Sequence, residues 1–523
     1  MRDDKTIKKE QLAEFEKRRD AVMQMGGLER VERQKQAGKL TARERINLLL
    51  DKGTFREIGM FVKNRRVASY EDVPADAVVT GYGKIDGREV CIFSQDFTSM
   101  SGTFSIMNAN KVCSIMDRAM EAGCPVIALN DSAGARIHDA EDAQHSYSQV
   151  FYRNTLASGV IPQICAILGP GVGGAVYSPA LMDFIFMIKG KSYAFITGPR
   201  VIKAVMGEEI SIEELGGASV VQKKAGVACR CENSEEECFD SIKELLNYLP
   251  SSSREKPIRI DWGDDPDRID KGLFDIVPAT SSKPYDMHKI IERVFDQRKG
   301  GKKNYFEIFP AFATNIITCF SRLNGWSVGI IASQPMSKSG CLDIDASDKA
   351  SRFIRFCDAF NIPVINLIDV PGYLPGKEQE WGGIIRHGAK MLYAYSEATV
   401  PKITVTIRKA YGGSYNGMCS KDLGADFIFC WPSTELAVMG PQGAASIIYR
   451  KELEEADDSD NLLQEKAKEY KEKFANPYRA AEKFYIDEVI DPAQTRPILI
   501  DTLELLINKV EERPWKKHGV MPT

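Results

Sequence analysis

The chain has 523 residues, too many for one ordinary core, and at about 150–250 residues per domain it predicts two to three domains, with two large α/β domains fitting best. Hydrophobic residues make up 43% and charged residues 27%, and the formal net charge is only −4, which excludes a disordered chain and the basic footprint of a nucleic-acid binder. No apolar run reaches the roughly 18–20 residues that cross a bilayer, and the charged opening from Met1 to Asp20 lacks a signal core, so the expectation is a soluble cytoplasmic protein that meets a membrane only through a partner subunit.

In chain order, the first clear element is a helix. Thr41-Ala42-Arg43-Glu44 forms a capping box, in which the threonine oxygen bonds the third helical N–H and the glutamate reaches back. The helix should run through Ile46–Leu50 and stop at Gly53. Short apolar runs of strand type follow at Val90–Phe93, Val126–Leu129 and Ile164–Leu168, and again at Val328–Ile331, Val364–Ile368 and Ile403–Ile407. They alternate with helical patterns such as Ala389–Ala398, which predicts βαβ units with active elements at strand-to-helix turns. Residues 250–310 are rich in turn formers, from Ser251-Ser252-Ser253 to Gly263-Asp264-Asp265-Pro266, and read as the interdomain connection. The domains are expected at 1–270 and 271–523. Lys451–Lys473 carries both charge signs densely and reads as a solvated helical face.

Twelve cysteines sit mainly in apolar patterns, as in Glu89-Val90-Cys91-Ile92-Phe93, and read as reduced, buried thiols. Cys229, Cys231 and Cys238 cluster, but with no CxxC and no nearby histidine they too read as thiols. His138, His145, His288, His387 and His518 form no HxxxH or HExxH pair, so no metal-activated water is expected.

The chain also repeats itself. Asp183–Phe186 and Asp426–Phe429 share one tetrapeptide, and Gly173-Gly174-Ala175 recurs as Gly412-Gly413-Ser414. Pro125-Val126-Ile127 recurs as Pro363-Val364-Ile365, Gly87 as Gly325, Pro162 as Pro401, and Gly198-Pro199 as Gly440-Pro441. The matches keep their order at offsets of about 240 residues, which indicates one fold duplicated rather than a solenoid of 20–50-residue units.

The glycine turns suggest the chemistry. Gly169-Pro170-Gly171-Val172-Gly173-Gly174-Ala175 follows the run Ile164–Leu168 and precedes a helix expected from Ala175 onward. Adjacent glycines let successive N–H groups point at one anion, and the helix start adds its positive end. Such an oxyanion hole stabilises charge on a thioester oxygen while the α-carbon becomes nucleophilic. Tyr411-Gly412-Gly413-Ser414-Tyr415 repeats the device, so two oxygens need stabilising. Neither turn keeps GxGxxG with an acidic partner, nor GxxxxGK[ST]. Ser132 lacks the glycine of a GxSxG elbow and reads as a turn and helix cap rather than a nucleophile.

Several longer stretches are more specific. Asp131–Ile137, Val150–Asn154, Gly173–Pro179 and Ile196–Pro199 resemble the N-terminal half of carboxyltransferase (beta) subunits of biotin-dependent acyl-CoA carboxylases, of the propionyl-CoA carboxylase type. Asp369–Gly376, Gly382–Lys390 and Arg408–Gly413 resemble the C-terminal half, and the similarity runs from about Gly38 to the C-terminus. The chain is also similar to the methylmalonyl-CoA decarboxylase alpha subunit and the transcarboxylase large subunit.

The resemblance implies two duplicated ClpP/crotonase-like α/β domains, with acyl-CoA held chiefly by the first and biotin by the second, and active sites between protomers of a homohexamer. It implies that Gly173 and Gly174 hold the acyl thioester or enolate oxygen, and that Gly413 and Ser414 hold the ureido oxygen of biotin. Ala133, Gly134, Ala135, Arg136 and Asn416 would contact the substrate, and biotin rather than a protein side chain would take the α-proton. The chain departs from the family at Ala133, a glycine there in the family's turn, at Ser414, usually alanine, and at Asn416, which varies with acyl preference. A short acyl-CoA is expected, with propionyl-CoA slightly favoured over acetyl-CoA.

Gly388-Ala389-Lys390-Met391 comes nearest to a biotinylation motif but lies in a helical pattern, so Lys390 reads as structural. Biotin is therefore expected on a separate biotin carboxyl carrier, with a separate biotin carboxylase subunit, because no ATP-binding loop is present. The alternatives are a sodium-pumping methylmalonyl-CoA decarboxylase or a transcarboxylase running the exchange in reverse. A non-catalytic scaffold would have no use for duplicated glycine turns.

Overall fold

Each half of the chain builds one eight-stranded sheet. The computed structural model describes residues 3–64 and 73–523, in two units, Met1–Glu255 and Lys256–Thr523.

In the first unit the strands are β1 (Arg56–Ile58), β2 (Val78–Ile85), β3 (Arg88–Gln95), β4 (Val126–Ser132), β5 (Gln163–Val172), β6 (Phe184–Ile188), β7 (Tyr193–Phe195) and β8 (Arg230–Glu232). Their order is β1-β2-β3-β4-β5-β6-β8, with β7 beside the end of β5. β1 to β3 pair antiparallel, and the pairing from β3 through β8 is parallel. β4 is buried along its whole length, which is why its sequence reads as a continuous run instead of an alternation. Helix Ile106–Ala122 buries Val112, Ile115 and Met116 against Val126, Ala128 and Ile167 of the strands. Each such side chain removed from water is worth about 1.5–3 kcal/mol.

The second unit repeats this plan with β9 (Tyr305–Ile308), β10 (Ile316–Leu323), β11 (Trp326–Ser333), β12 (Val364–Val370), β13 (Lys402–Tyr411), β14 (Phe427–Cys430), β15 (Glu435–Ala437) and β16 (Glu488–Val489). The order is β9-β10-β11-β12-β13-β14-β16, with β15 beside β13. The registers match as well: Val126 faces Gln163 in the first sheet, and Val364 faces Lys402 in the second. The duplication read from scattered glycines and prolines is thus a duplication of backbone.

Two lysines repeat it in side-chain chemistry. Lys111 donates to Ala75 O at 2.8 Å and to Val78 O, while Lys349 donates to Phe309 O, Phe312 O and Ile316 O at 2.7–2.9 Å. These carbonyls belong to turns containing left-handed residues, Ala75, Asp76 and Ala77 in one unit and Phe309 and Ala313 in the other. Burial pushes both ammonium groups down to about 8.

The capping box forms both of its bonds, and the helix it starts runs Ala42–Leu49. The turn-rich stretch 250–310 is less irregular than expected, because it contains helix His288–Val294 and β9. The division at 255/256 precedes the 270/271 limit set out above. Asp270 belongs with the second unit through its N–H to Ala493 O and its carboxylate to Arg293. Lys451–Lys473 falls within helices Arg450–Glu455 and Ser459–Phe474, of which only Ala467 is buried. No helix among the described residues is long and apolar enough to cross a membrane.

Candidate active site

In the first unit, β5 ends at Val172 and the chain turns at Gly173 (φ 60°) into helix Gly174–Leu181. β7 holds this turn, for the Gly173 N–H donates to Phe195 O at 3.1 Å. That bond bears on the part expected of Gly173. Gly173 supplies the left-handed turn but its amide is already engaged, so the amides left without intrahelical partners at the helix start are those of Gly174 and Ala175. The helix accordingly begins one residue before the position expected.

A side chain at 174 has no room. A Cβ there would lie 2.8 Å from two carbons of the Tyr147 ring. Tyr147 comes from helix Glu141–Ala157 and stacks on Phe104 at 4.7 Å. Burial raises its pKa well above the usual tyrosine range, so the hydroxyl stays protonated beside the turn. The helical pattern around Tyr147 gave no sequence signal for this role.

The segment after β4 runs alongside. Ala133 N donates to Ser101 O, Phe104 N to Gly134 O, and Arg136 N to Phe104 O. Ala133 and Ala135 are exposed, while Gly134 is buried. Ser132 accepts from Gly134 N at 3.1 Å, a turn bond, and caps no helix. Arg136 departs from its expected substrate contact. Only 2% of it is exposed, and its guanidinium bonds Asp76 at 2.7 Å and Thr103 O at 3.1 Å, so it secures the turn from inside.

Beneath the turn, Asp131 is fully buried between Lys39 (2.7 Å) and Arg45 (2.8 Å), and Arg45 also grips Glu235 at 2.7 Å. A cavity of about 460 Å³ adjoins it, lined by Arg30, Arg33, Lys39, Phe97 and Ser101, the residue whose carbonyl holds Ala133.

The second unit places Gly412 (φ 56°) where the first has Gly173, so Gly413 and Ser414 correspond to Gly174 and Ala175. Gly413 is exposed, and a Cβ on it would meet nothing within 4 Å. Ser414 is buried, and its hydroxyl donates to Tyr411 O at 2.7 Å. The extra hydroxyl is thereby spent on the backbone while the amide keeps its first-turn position. Asn416 is exposed on the same six-residue helix, Gly412–Gly417. Asp369 is the counterpart of Asp131. It accepts from Arg408 Nε at 2.9 Å and from Lys409 N at 3.1 Å, and burial raises its pKa against the pull of Arg408 and Lys409. Lys390 lies within helix Ile384–Glu397 and pairs with Asp348 at 2.8 Å.

Cys229, Cys231 and Cys238 are all buried, burial pushes the Cys231 thiol up to about 12, and no group of three or more potential metal ligands is found among the described residues. The arrangement in each unit is thus a pair of backbone donors at a glycine turn, over a buried carboxylate. Such a site stabilises developing negative charge on oxygen.

Residues 33–521 match the model of the carboxyl transferase domain family. The chain is 54% identical to a methylmalonyl-CoA decarboxylase subunit alpha from Veillonella parvula over 500 residues, 95% of this chain and 96% of that protein. It is 51% identical to a propionyl-CoA carboxylase carboxyltransferase subunit from Haloferax mediterranei over 516 residues, 98% and 99% of the two chains. Among solved structures it is similar to transcarboxylase 12S, a hexamer assembly solved with methylmalonyl-coenzyme A and methylmalonic acid bound, with a TM-score of 0.93, 49% identity and 98% of each chain covered.

Proposed function

The chain belongs to the carboxyl transferase family and is an enzyme of it, and on that premise we propose that it moves a carboxyl group between carboxybiotin on a separate carrier and the α-carbon of propionyl-CoA, giving methylmalonyl-CoA. The observation that carries the acyl pair is the agreement of three relatives. A propionyl-CoA carboxylase subunit, a methylmalonyl-CoA decarboxylase subunit and a transcarboxylase with methylmalonyl-coenzyme A bound all match over nearly the whole chain.

Carrier-bound biotin supplies an activated carboxyl group and, once that has left, a site for the α-proton. The protein's part is electrostatic. The Gly174 and Ala175 amides hold the thioester oxygen as its charge develops, and the exposed Gly413 turn leaves room for the ureido oxygen on the Gly413 and Ser414 amides. Arg30, Arg33 and Lys39, around the first unit's cavity, suit the phosphates of coenzyme A. Exposed apolar residues on helix Pro199–Met206 (Val201, Val205, Met206) and helix Pro441–Ile448 (Ile447, Ile448) support a homohexameric core like that of transcarboxylase 12S.

The reverse reaction, decarboxylating methylmalonyl-CoA, is the second reading, favoured by the 54% identity to the decarboxylase subunit. One site serves both directions, and the partner subunits set which one runs. The test mixes the purified chain with biotinylated carrier and biotin carboxylase, then follows carboxyl transfer to and from propionyl-CoA. Neither direction should proceed without the carrier. ATP-dependent carboxylation by the chain alone, or no exchange with the carrier present, overturns the reading.

A further inference from the structure

The second unit contains a cavity of about 270 Å³ lined by Lys283, Lys338, Arg408 and Lys409, together with the hydroxyls of Ser281 and Ser339. No carboxylate lines it. Asp343 and Asp369 stand behind the cations, Asp343 bonded to Lys338, and Asp369 bonded to Arg408 Nε at 2.9 Å and lying 3.9 Å from the Lys409 ammonium. Arg408 is 1% exposed, and its Nη2 has no hydrogen-bond partner among the described residues. Its Nη1 donates to Lys283 O at 2.9 Å and to Thr280 O at 3.3 Å, which anchors the loop that brings Ser281 and Lys283 to the cavity. Four cationic side chains around one cavity with no carboxylate in its lining leave positive charge that an anion would compensate.

The cavity occupies the same place in the repeat as the one in the first unit. Lys338 and Ser339 take the left-handed conformations that Met100 and Ser101 take there (φ 47° and 55° against 49° and 52°). The contents differ, however. The first cavity draws two of its cations, Arg30 and Arg33, from helix Leu28–Gln36 and has the flat ring of Phe97, whereas the second draws two of its cations from β13 and has Pro335 instead. At about 270 Å³ it falls below the roughly 300–1,000 Å³ of sites that enclose a drug-sized ligand, and it has no aromatic platform for a base.

We infer that this cavity is a second anion site, one that takes a small, doubly charged oxyanion, inorganic phosphate or a short dicarboxylate. The inference does not depend on the direction in which carboxyl transfer runs.

The experiment titrates inorganic phosphate and, separately, malonate into the full-length protein by calorimetry at constant ionic strength. Saturable binding is expected, and whichever anion binds more tightly identifies the ligand chemistry. Lys283→Glu, an exposed position whose change should leave the thermal midpoint of the anion-free protein unaltered, should weaken that binding about tenfold or more, the loss of one charge-assisted hydrogen bond. Lys409→Gln should weaken it as well. Arg30→Gln with Arg33→Gln, in the first unit, should leave it intact. Absence of saturable binding by either anion, or binding that Lys283→Glu and Lys409→Gln leave at wild-type strength, overturns the inference.

Discussion

The ring of Tyr147 lies so close to Gly174 that a Cβ on residue 174 would sit 2.8 Å from two of its carbons. Gly174→Val should therefore displace the ring and turn its own amide away from the thioester oxygen. Turnover should fall by about 10²–10³-fold, the loss expected for one oxyanion donor. Circular dichroism and thermal unfolding separate this effect from a folding defect. Near-normal turnover in a folded variant would refute the assignment.

Gly413 offers the opposite case, since a Cβ there meets nothing within 4 Å. Gly413→Val should fold as the wild type does and bind acyl-CoA normally, yet lose at least about 10²-fold in exchange with the biotinylated carrier. Undiminished exchange would remove Gly413 and Ser414 from the biotin side.

Asn416 tests acyl preference. A methylene contact is worth about 10–200-fold in discrimination, so one wall residue shifts a preference without creating activity. Asn416→Ile is expected to change the ratio of kcat/KM for propionyl-CoA over acetyl-CoA while turnover persists. A ratio held within about twofold, below that range, would place Asn416 outside the acyl pocket.

Arg136→Met should act on stability rather than on substrate affinity. It would strand the buried carboxylate of Asp76, a loss of about 3–5 kcal/mol for a broken buried pair, read by chemical denaturation. A KM raised tenfold with stability unchanged would restore Arg136 to the substrate.

His288 gives a pH dependence with a definite sign. Burial opposes its protonation, but hydrogen bonds and charge from Glu307 (3.1 Å) and Asp286 (2.8 Å) outweigh burial, so its pKa is raised on folding. A raised pKa contributes stability that is complete below the unfolded value of about 6.5 and is lost as pH rises through the folded value. Thermal midpoints measured across that window should fall with pH in the wild type more than in His288→Gln. Parallel curves would show that His288 contributes nothing.

The duplicated architecture was legible because turns that must take positive φ keep their glycines, as at Gly173 and Gly412. The engagement of the Gly173 amide was not, because its partner lies on β7, a three-residue strand too short to show a period. Arg136 was expected at the substrate through the resemblance, from its place next to a glycine turn. Its partner Asp76 lies 60 residues upstream in a left-handed turn without glycine, which no local pattern announces. Lys111 and Lys349 do sit in corresponding helices, but a lysine in an amphipathic pattern ordinarily marks the solvent face, and only the carbonyls facing them reveal the burial.

The two buried aspartates also differ in how their partners are reached along the chain. In the second unit, Asp369 finds Arg408 on the neighbouring strand, 39 residues away, whereas in the first unit Asp131 meets Arg45 across 86 residues. Closing the longer span costs about 0.7 kcal/mol more in chain entropy. Contacts so distant form late and slow a folding reaction. During synthesis the segment carrying Lys39 and Arg45 is made before its partners, so it cannot pair with Asp131 until β4 arrives and is not fully clamped until Glu235 follows. The second half can seal its own buried pair as soon as two adjacent strands meet, so the half made last has the shorter route to its native core.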